Sequence, residues 1–166
     1  MVHFCDWSPT LLSAAGQEQP RGLALDGVNV LSALRSEGGQ VSTRRFWQWN
    51  RYTPVVTCNA AMRDGPWKLV RPTMPEAMWV APEDLEMDRA LKYHPERYEE
   101  IRRGPEPERQ IVPPPPSELY NIEQDPFERQ NLAGLEPDRT ARMLHELETW
   151  FEAVEAERRR IGCSQS

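Results

Sequence analysis

Residues 117–134 read Ser-Glu-Leu-Tyr-Asn-Ile-Glu-Gln-Asp-Pro-Phe-Glu-Arg-Gln-Asn-Leu-Ala-Gly, and this segment decides the fold. Residues 119–122 fit an extended strand, in which neighbouring side chains point to opposite faces. Asp125 and Pro126 then supply the chemistry of a turn and end the strand. Asn131 follows, and its short amide side chain can hydrogen-bond to local backbone as the chain leaves the turn. The segment therefore predicts a strand, a reversal and a helical turn.

The sequence after this corner has the pattern of one long amphipathic helix. Pro137 suits a first helical turn, and apolar residues recur at three- and four-residue spacing between Arg139 and Ile161. They are Met143, Leu144, Leu147, Trp150, Phe151 and Val154. We expect this stripe to cover a sheet, with a partner-binding helix as the alternative. We expect Gly162 to Ser166 to fray.

Three extended segments before the corner predict the rest of the sheet. Arg45–Trp49 alternates aromatic and polar side chains, Val55–Arg63 is a second extended run, and Trp67–Val70 is a third. Asp64 and Gly65 separate the last two and provide a tight reversal. Together with the corner, these segments predict an α+β fold. A small antiparallel sheet of three to four strands is covered by the long C-terminal helix.

The segment between Arg71 and Pro116 interrupts this sheet. Pro82–Leu91 and Pro95–Arg103 have the pattern of two short helices, and Pro113–Pro116 is a stiff extended run. Long insertions of this kind tend to be functional lids or disordered segments. The four prolines fit a spacer that delivers the next strand, or a ligand for proline-recognising modules.

The first 43 residues contain two short helical patterns. Asp6–Gly16 reads as a helix with Asp6 as its N-cap and a glycine at its left-handed end. Trp7 and Leu11 share an apolar face for which the preceding sequence offers no obvious partner. Leu25–Leu34 begins with an Asp-Gly turn before a shorter helical stretch. We therefore expect the first helix to dock on another domain.

Composition limits the classes of function. The 166 residues include 16 prolines, carry a formal net charge of −6 and are 39% hydrophobic. Mean hydropathy is −0.72. This length suits one polar, loop-rich domain. The acidic balance argues against nucleic-acid or anionic-membrane binding, because both need an excess of Lys and Arg.

Neither membrane targeting nor a cysteine framework is indicated. No apolar run approaches the roughly 20 residues that span a bilayer, and no secretory leader pattern is visible at the N-terminus. We therefore expect a cytoplasmic location. Cys5, Cys58 and Cys163 are widely spaced and form no CxxC pair, which argues against disulfides and zinc sites.

Four motifs occur together in a specific order. Residues 6–16 match Asp-Trp-x-Pro-Thr-Leu-x-x-x-Ala-Gly, and residues 25–34 match Leu-Asp-Gly-Val-x-Val-x-x-x-Leu. Residues 62–70 match Met-Arg-Asp-Gly-x-Trp-Lys-Leu-Val, and residues 118–133 match Glu-Leu-Tyr-Asn-Ile-Glu-x-Asp-Pro-x-Glu-x-x-Asn-Leu-Ala. In this order they resemble the C-terminal part of the sulfatase family, of the arylsulfatase-like, formylglycine-dependent kind. The 71–116 segment is matched only loosely.

The resemblance implies hydrolysis of sulfuric esters by the whole enzyme, with sulfated small molecules or sugars as substrates. Such enzymes use a formylglycine made within a Cys/Ser-x-Pro-x-Arg motif and a calcium ion held by Asp and Asn side chains. Neither feature is visible here. Cys5 is followed by Asp-Trp-Ser-Pro, which does not match the motif, and the sequence has no aspartate pair and no later Asp-Asn or Asp-His pair for a calcium site. We expect both the formylglycine and the calcium in a missing N-terminal sulfatase domain, which would be the partner of this chain. We assign no catalytic role, including to His3, and expect this chain alone to be inactive.

On this interpretation, residues 1–43 are the tail end of the catalytic domain and residues 44–166 form the C-terminal subdomain. The 71–116 segment is a helical, proline-rich excursion within it. The first short helices would dock on the missing α/β catalytic domain. A stand-alone, non-catalytic interaction module or a pseudoenzyme remnant is the alternative.

One wall of a substrate pocket is the role open to this chain. Trp49, Asn50, Arg51 and Tyr52 combine aromatic rings, an amide and a guanidinium, which suit a sugar or aryl group carrying sulfate. The alternative is that the tryptophan packs in the core and Arg51 is a solvated charge. His94 is a second candidate for substrate binding.

Overall fold

A computed structural model describes residues 1–20, 22, 25–39, 41–97 and 105–163, with side chains described up to residue 160. The helices in chain order are α1 (Trp7–Ala14), α2 (Leu31–Leu34), α3 (Pro75–Met78), α4 (Pro82–Tyr93) and α5 (Pro137–Cys163). The strands are β1 (Arg44–Gln48), β2 (Ala60–Asp64), β3 (Trp67–Arg71) and β4 (Glu118–Asn121). Short 3₁₀ turns lie at Phe4–Asp6 and Pro95–Arg97.

The chain forms two compact units. One comprises Met1–Arg45 with Arg63–Gly65, and the other comprises Phe46–Met62 with Pro66–Ser166. No helix in the described ranges combines the length and the apolar character needed to cross a membrane.

The predicted antiparallel sheet and its covering helix are confirmed. The strands form one four-stranded sheet in the order β1-β2-β3-β4. β3 and β4 pair antiparallel, with Trp67 opposite Asn121 and Leu69 opposite Leu119. Gly65 has a φ of 58° in the predicted turn between β2 and β3, a conformation that glycine adopts without steric cost.

The main core lies between the sheet and α5. Its buried members are Ala60, Met62, Leu69, Leu119, Met143 and Leu147. Phe46 of β1 stacks on Trp150 of α5, with ring centroids 5.2 Å apart and planes 8° from parallel. Arg71 of β3 is buried and pairs with Glu148 of α5. Trp150 thus extends this core along the helix.

The predicted apolar stripe of α5 is wrong at its C-terminal end. Val154 is exposed, whereas Glu155 is buried and pairs with Arg158 at 2.7 Å. A helix of this length extends about 40 Å, while a five-residue strand spans about 17 Å, so the helix outruns the sheet. Beyond the sheet, periodicity alone no longer determines which side chains are buried.

The corner after β4 is held by Asn131, as its sequence predicts. Its side-chain oxygen accepts hydrogen bonds from the amides of Leu119 at 3.1 Å and Ala133 at 2.9 Å. The amide of Leu132 donates to the carbonyl of Leu119 at 2.7 Å. The side chain therefore ties the exit of the turn to the strand itself.

Several predicted boundaries shift. The extended run Val55–Arg63 is wrong in its first half: residues 55–59 turn, Asn59 has a φ of 48°, and β2 begins only at Ala60. The helix α3 was not predicted. Of the predicted Pro95–Arg103 helix, Pro95–Arg97 form a 3₁₀ turn, and residues 98–103 lie outside the described residues. α5 continues through Gly162 to Cys163, so the predicted fraying from Gly162 is wrong for these two residues, and residues 164–166 lie outside the described ones.

Asp6 organises the N-terminal unit, although not as the predicted cap of α1. Its side chain makes no cap hydrogen bond to α1. It accepts instead from the amides of His3 at 2.7 Å and Val28 at 2.9 Å, and from Nη2 of Arg45 at 2.8 Å. The carboxylate is fully buried. The Asp6 carboxylate serves as acceptor for the distant donors of Val28 and Arg45. These hydrogen bonds replace the local capping bond that the sequence predicts.

Gly27 allows the two short helical segments to approach. A Cβ atom at this position would lie 2.0 Å from the carbonyl oxygen of Cys5, so only glycine fits. Nearby, the hydroxyl of Thr10 donates to the carbonyl of Asp6 at 2.6 Å and accepts from the amide of Val30 at 3.0 Å. Gly16, with a φ of 66°, ends the first helical segment as predicted.

Replacing Leu147 tests the packing of α5. Leu147→Ala should lower the free energy of unfolding by about 3 kcal/mol, because it leaves a cavity in the core. Val154→Ala on the same helix should lower it by less than about 0.5 kcal/mol, because that side chain is exposed. Urea denaturation measures both values, and equal losses would contradict the described orientation of α5.

The ion pair between Asp6 and Arg45 should make stability depend on pH. Burial by itself would raise the pKa of Asp6, but hydrogen bonds from Val28, His3 and Arg45 outweigh it, and the net pKa is lowered. Since the folded pKa lies below the ordinary 3.8, this stabilisation is complete above that pH and is lost as the pH falls through the folded pKa.

Arg45→Met should therefore destabilise the protein at pH 7 by about 3 kcal/mol, because it leaves a buried carboxylate without its cation. Arg44→Met is the matched control, since Arg44 pairs with Asp64 at 3.3 Å in a more exposed position and should cost at most about 1 kcal/mol. Urea unfolding at pH 7 and at pH 3 measures both variants. The proposed linkage is excluded if the Arg45 variant loses as much stability at the lower pH as wild type does.

Candidate functional site

Trp49 and Arg51 form a stacked pair on the surface just after β1. The guanidinium carbon of Arg51 lies 4.6 Å from the centre of the Trp49 ring, and 56% of Trp49 is exposed. The backbone of Trp49 is fixed on both sides by Asn59, whose carbonyl accepts at 3.2 Å and whose side-chain amide donates at 2.8 Å. An indole on an anchored backbone therefore stacks with an exposed cation.

Asn50 is used within the loop. Its side-chain oxygen accepts from the amide of Val55 at 3.1 Å, and its side-chain nitrogen donates to the carbonyl of Cys58 at 3.5 Å. These bonds shape the turn that replaces the first half of the predicted second strand. In this geometry both polar atoms of the amide are already occupied.

Tyr52 is held in a conformation that bulky residues rarely adopt. Its φ is 52°, in the left-handed region, which costs of order 1–3 kcal/mol for such a residue. The hydroxyl donates to Asp84 and accepts from the amide of Ala81 at 2.9 Å. Burial, and next the hydrogen bond with Asp84, raise the pKa of Tyr52, so the phenol stays protonated. Tyr52 thus anchors the loop to the start of α4.

Arg109 fixes the same loop from the opposite end of the excursion. Its Nη1 donates to the carbonyls of Arg51 at 2.9 Å and Ala77 at 2.8 Å, and its Nη2 donates to the carbonyl of Thr53 at 2.8 Å. Nη2 also pairs with Glu106 at 2.7 Å, and the Arg109 side chain is buried. One guanidinium therefore sets the positions of two loops.

Glu106 completes this connection. Its carboxylate accepts hydrogen bonds from the hydroxyl of Thr53 and, at 2.9 Å, from the amide of Thr53. The hydroxyl contributes most to lowering the pKa of Glu106. Burial opposes this effect, and the amide of Thr53 and Arg109 add to the lowering. Glu106 is thus held as an anion that neutralises the charge of Arg109.

His94 lies apart from this arrangement. It follows α4 directly and pairs through Nδ1 with Glu96 at 3.3 Å, with its side chain half exposed. Among the described residues it makes no hydrogen bond, ion pair or ring contact with the Trp49–Tyr52 segment. The structure therefore brings together four of the five predicted site residues, and their substrate-binding role stays a prediction.

A cavity lies beside α3. Its volume is about 390 Å³, and it is lined by Pro75, Glu76, Trp79, Glu108, Arg109 and Gln110. Sequence patterns did not indicate Trp79 or Arg109, because both lie in the irregular excursion. The sequence signal that could have indicated this cavity is Trp79, an isolated tryptophan in an otherwise polar, proline-rich segment.

The described ranges contain no group of three or more His, Cys, Asp or Glu side chains arranged to hold a metal ion.

Comparisons with known proteins place the chain as follows. No protein-family model matches it. Among solved structures, it is similar to BT33336S-sulf, a sulfatase from work on the metabolism of multiple glycosaminoglycans by Bacteroides thetaiotaomicron. The TM-score is 0.49 at 20% identity, over 91% of this chain and 24% of that protein. The chain thus spans about a quarter of the length of that protein, and a likeness of this degree assigns no function.

Arg109→Met should loosen the Trp49–Tyr52 loop. The variant leaves three carbonyls without this donor and Glu106 without its cation, so we expect a loss of about 3 kcal/mol in the free energy of unfolding. Arg51→Met is the control, because its guanidinium is exposed and should contribute less than about 0.5 kcal/mol. Urea denaturation followed by tryptophan fluorescence measures both. Similar losses in the two variants would contradict the role given to Arg109.

Proposed function

We propose that this chain is the C-terminal portion of a sulfatase, in which it supports the catalytic domain and forms one wall of the substrate pocket. The observation that carries the proposal is the exposed apolar face of α1. Trp7 is 48% exposed and Leu11 is 60% exposed. Apolar surface of this kind on an ordered helix normally marks an interface.

A cavity continues this apolar face. It has a volume of about 410 Å³ and is lined by Ser8, Leu11, Leu12, Ala15, Pro20 and Leu25. Most of these side chains are apolar, so the cavity suits an apolar side chain of a docked domain better than a charged ligand. The proposed occupant is the α/β catalytic domain, because the motif at residues 6–16 resembles the segment that closes that domain in sulfatases.

The residues that carry the resemblance also have specific structural roles in this chain. Asp6 is the buried acceptor of the N-terminal unit, and Gly27 occupies a position that excludes any side chain. Gly65 forms the β2–β3 turn, and Asn131 closes the corner after β4. These residues of the motifs thus lie at positions where backbone geometry or hydrogen bonding requires their residue types.

In this proposal, the substrate-facing groups are Trp49 and Arg51. An exposed guanidinium above an indole offers both a charge for a sulfate group and an apolar surface for a sugar or aryl ring. Asn50 and Tyr52 position them through their bonds within the loop and to α4. The formylglycine, the calcium ion and the remaining catalytic groups belong to the N-terminal sulfatase domain, the partner of this chain. His94 stays a more distant candidate for substrate binding.

The first experiment is to read the coding DNA upstream of Met1 and express it together with this chain. We expect an open frame with Cys/Ser-x-Pro-x-Arg, and hydrolysis of an aryl sulfate only when that region is present. Trp7→Asp should reduce the amount of folded, active enzyme, because it places a charge in the proposed interface. Phe127→Asp is the matched control, since Phe127 is exposed in the other unit.

The same enzyme tests the substrate wall. Arg51→Ala should lower kcat/KM about tenfold with an unchanged melting temperature, because a charged contact to substrate is lost. Arg129→Ala is the control, since Arg129 stacks similarly at 4.9 Å on the exposed ring of Phe127. Equal kcat/KM values for the unmodified enzyme, Arg51→Ala and Arg129→Ala would exclude a role of Arg51 in the substrate pocket. An upstream stop codon, with a cooperative melt of the chain alone, would instead favour a stand-alone module or pseudoenzyme remnant.

A further inference from the structure

The cavity beside α3 is not used by the proposed function. It is lined by Pro75, Glu76, Trp79, Glu108, Arg109 and Gln110 and lies within the second unit. It differs from the apolar cavity beside α1, because half of its lining residues are ionisable. The charges of these residues determine what the cavity can bind.

The single cation in the lining is already neutralised. Arg109 is buried, forms an ion pair with Glu106 at 2.7 Å and uses both of its terminal nitrogens on carbonyl groups. The lowered pKa of Glu106 keeps that carboxylate ionised beside it. Arg109 therefore contributes no free positive charge to the cavity.

The lining also contains two acids, Glu76 and Glu108. Glu76 and Glu108 are both exposed, and neither makes a hydrogen bond or ion pair within the described residues. Two carboxylates and a neutralised arginine leave the cavity negatively charged at neutral pH. A sulfate or phosphate group would be repelled from this position.

Trp79 gives the cavity a second recognition element. Its indole is 46% exposed, and it shares the lining with both carboxylates. The face of an indole attracts organic cations, and nearby carboxylates strengthen that attraction. A neutral sugar could donate hydrogen bonds to the carboxylates, but only a cation also gains charge attraction from both of them, so the combination favours a positively charged ligand.

We propose that this cavity binds a small organic cation that carries a primary or quaternary ammonium group. Trp79 provides the aromatic surface, and Glu76 and Glu108 provide the opposite charge. The site is separate from the stacked Trp49 and Arg51, whose exposed guanidinium suits anions. It does not depend on the proposed sulfatase function.

The test is a titration of the chain with tetramethylammonium chloride at constant ionic strength, followed through the indole N–H signals in an ¹H–¹⁵N spectrum. Trp79→Phe assigns the Trp79 signal and retains an aromatic ring. We expect a saturable shift of this signal at millimolar concentrations. In Glu76→Gln/Glu108→Gln the affinity should be about tenfold weaker, because the two charged contacts are lost.

Two further titrations make the outcome decisive. Tert-butanol is a neutral probe of similar size, and sodium sulfate is an anionic one; neither should shift the Trp79 signal saturably. The signal of Trp49 should not respond to the double substitution. The proposal is overturned if tetramethylammonium gives no saturable shift, or if tert-butanol binds equally well. None of these outcomes depends on sulfate ester hydrolysis, so the two proposals can fail separately.

Discussion

Removing one face of a short sheet from water is the constraint on which the second unit depends. The strands are four or five residues long and cannot form a stable layer alone. Met143 and Leu147 of α5 supply the covering surface over Met62, Leu69 and Leu119. Since β4 is separated in sequence from β3 by the long excursion, the helix also has to hold together strands that are distant along the chain.

The corner after β4 turns that constraint into a defined geometry. Asn131 fixes the exit of the turn to the amide of Leu119, a residue that is itself in the core. The direction in which the chain approaches Pro137 is therefore set within a few residues of the sheet. This explains how one segment of sequence can specify both the last strand and the placement of the helix that covers it.

Local features of the sequence predicted the parts of the fold that depend on neighbours along the chain. The strand at Glu118–Asn121, the turn at Gly65 and the start of α5 at Pro137 all follow from such patterns. Asp6 could not be placed in this way, because its partners Val28 and Arg45 lie 22 and 39 residues away. The capping pattern was present, but distant donors competed for the same oxygens.

The candidate site shows the same division. Trp49 and Arg51 are close in sequence, and their pairing on the surface follows from that proximity. Arg109 could not be recognised, because three of its hydrogen bonds go to backbone carbonyls, which every residue carries and no sequence pattern marks. The positive φ of Tyr52 was equally invisible, since a tyrosine does not favour this backbone conformation and its bond to the amide of Ala81 joins residues far apart in sequence.

The bonding of Arg109 to carbonyl groups has a consequence for how this loop can vary. At residue 51, the guanidinium of Arg109 bonds only to the main-chain carbonyl. The side chain of residue 51 can therefore change without disturbing this support. A scaffold of this kind separates the shape of a surface loop from its chemistry. It would allow related proteins, or an engineer, to exchange the exposed group for another ligand while the backbone stays in place.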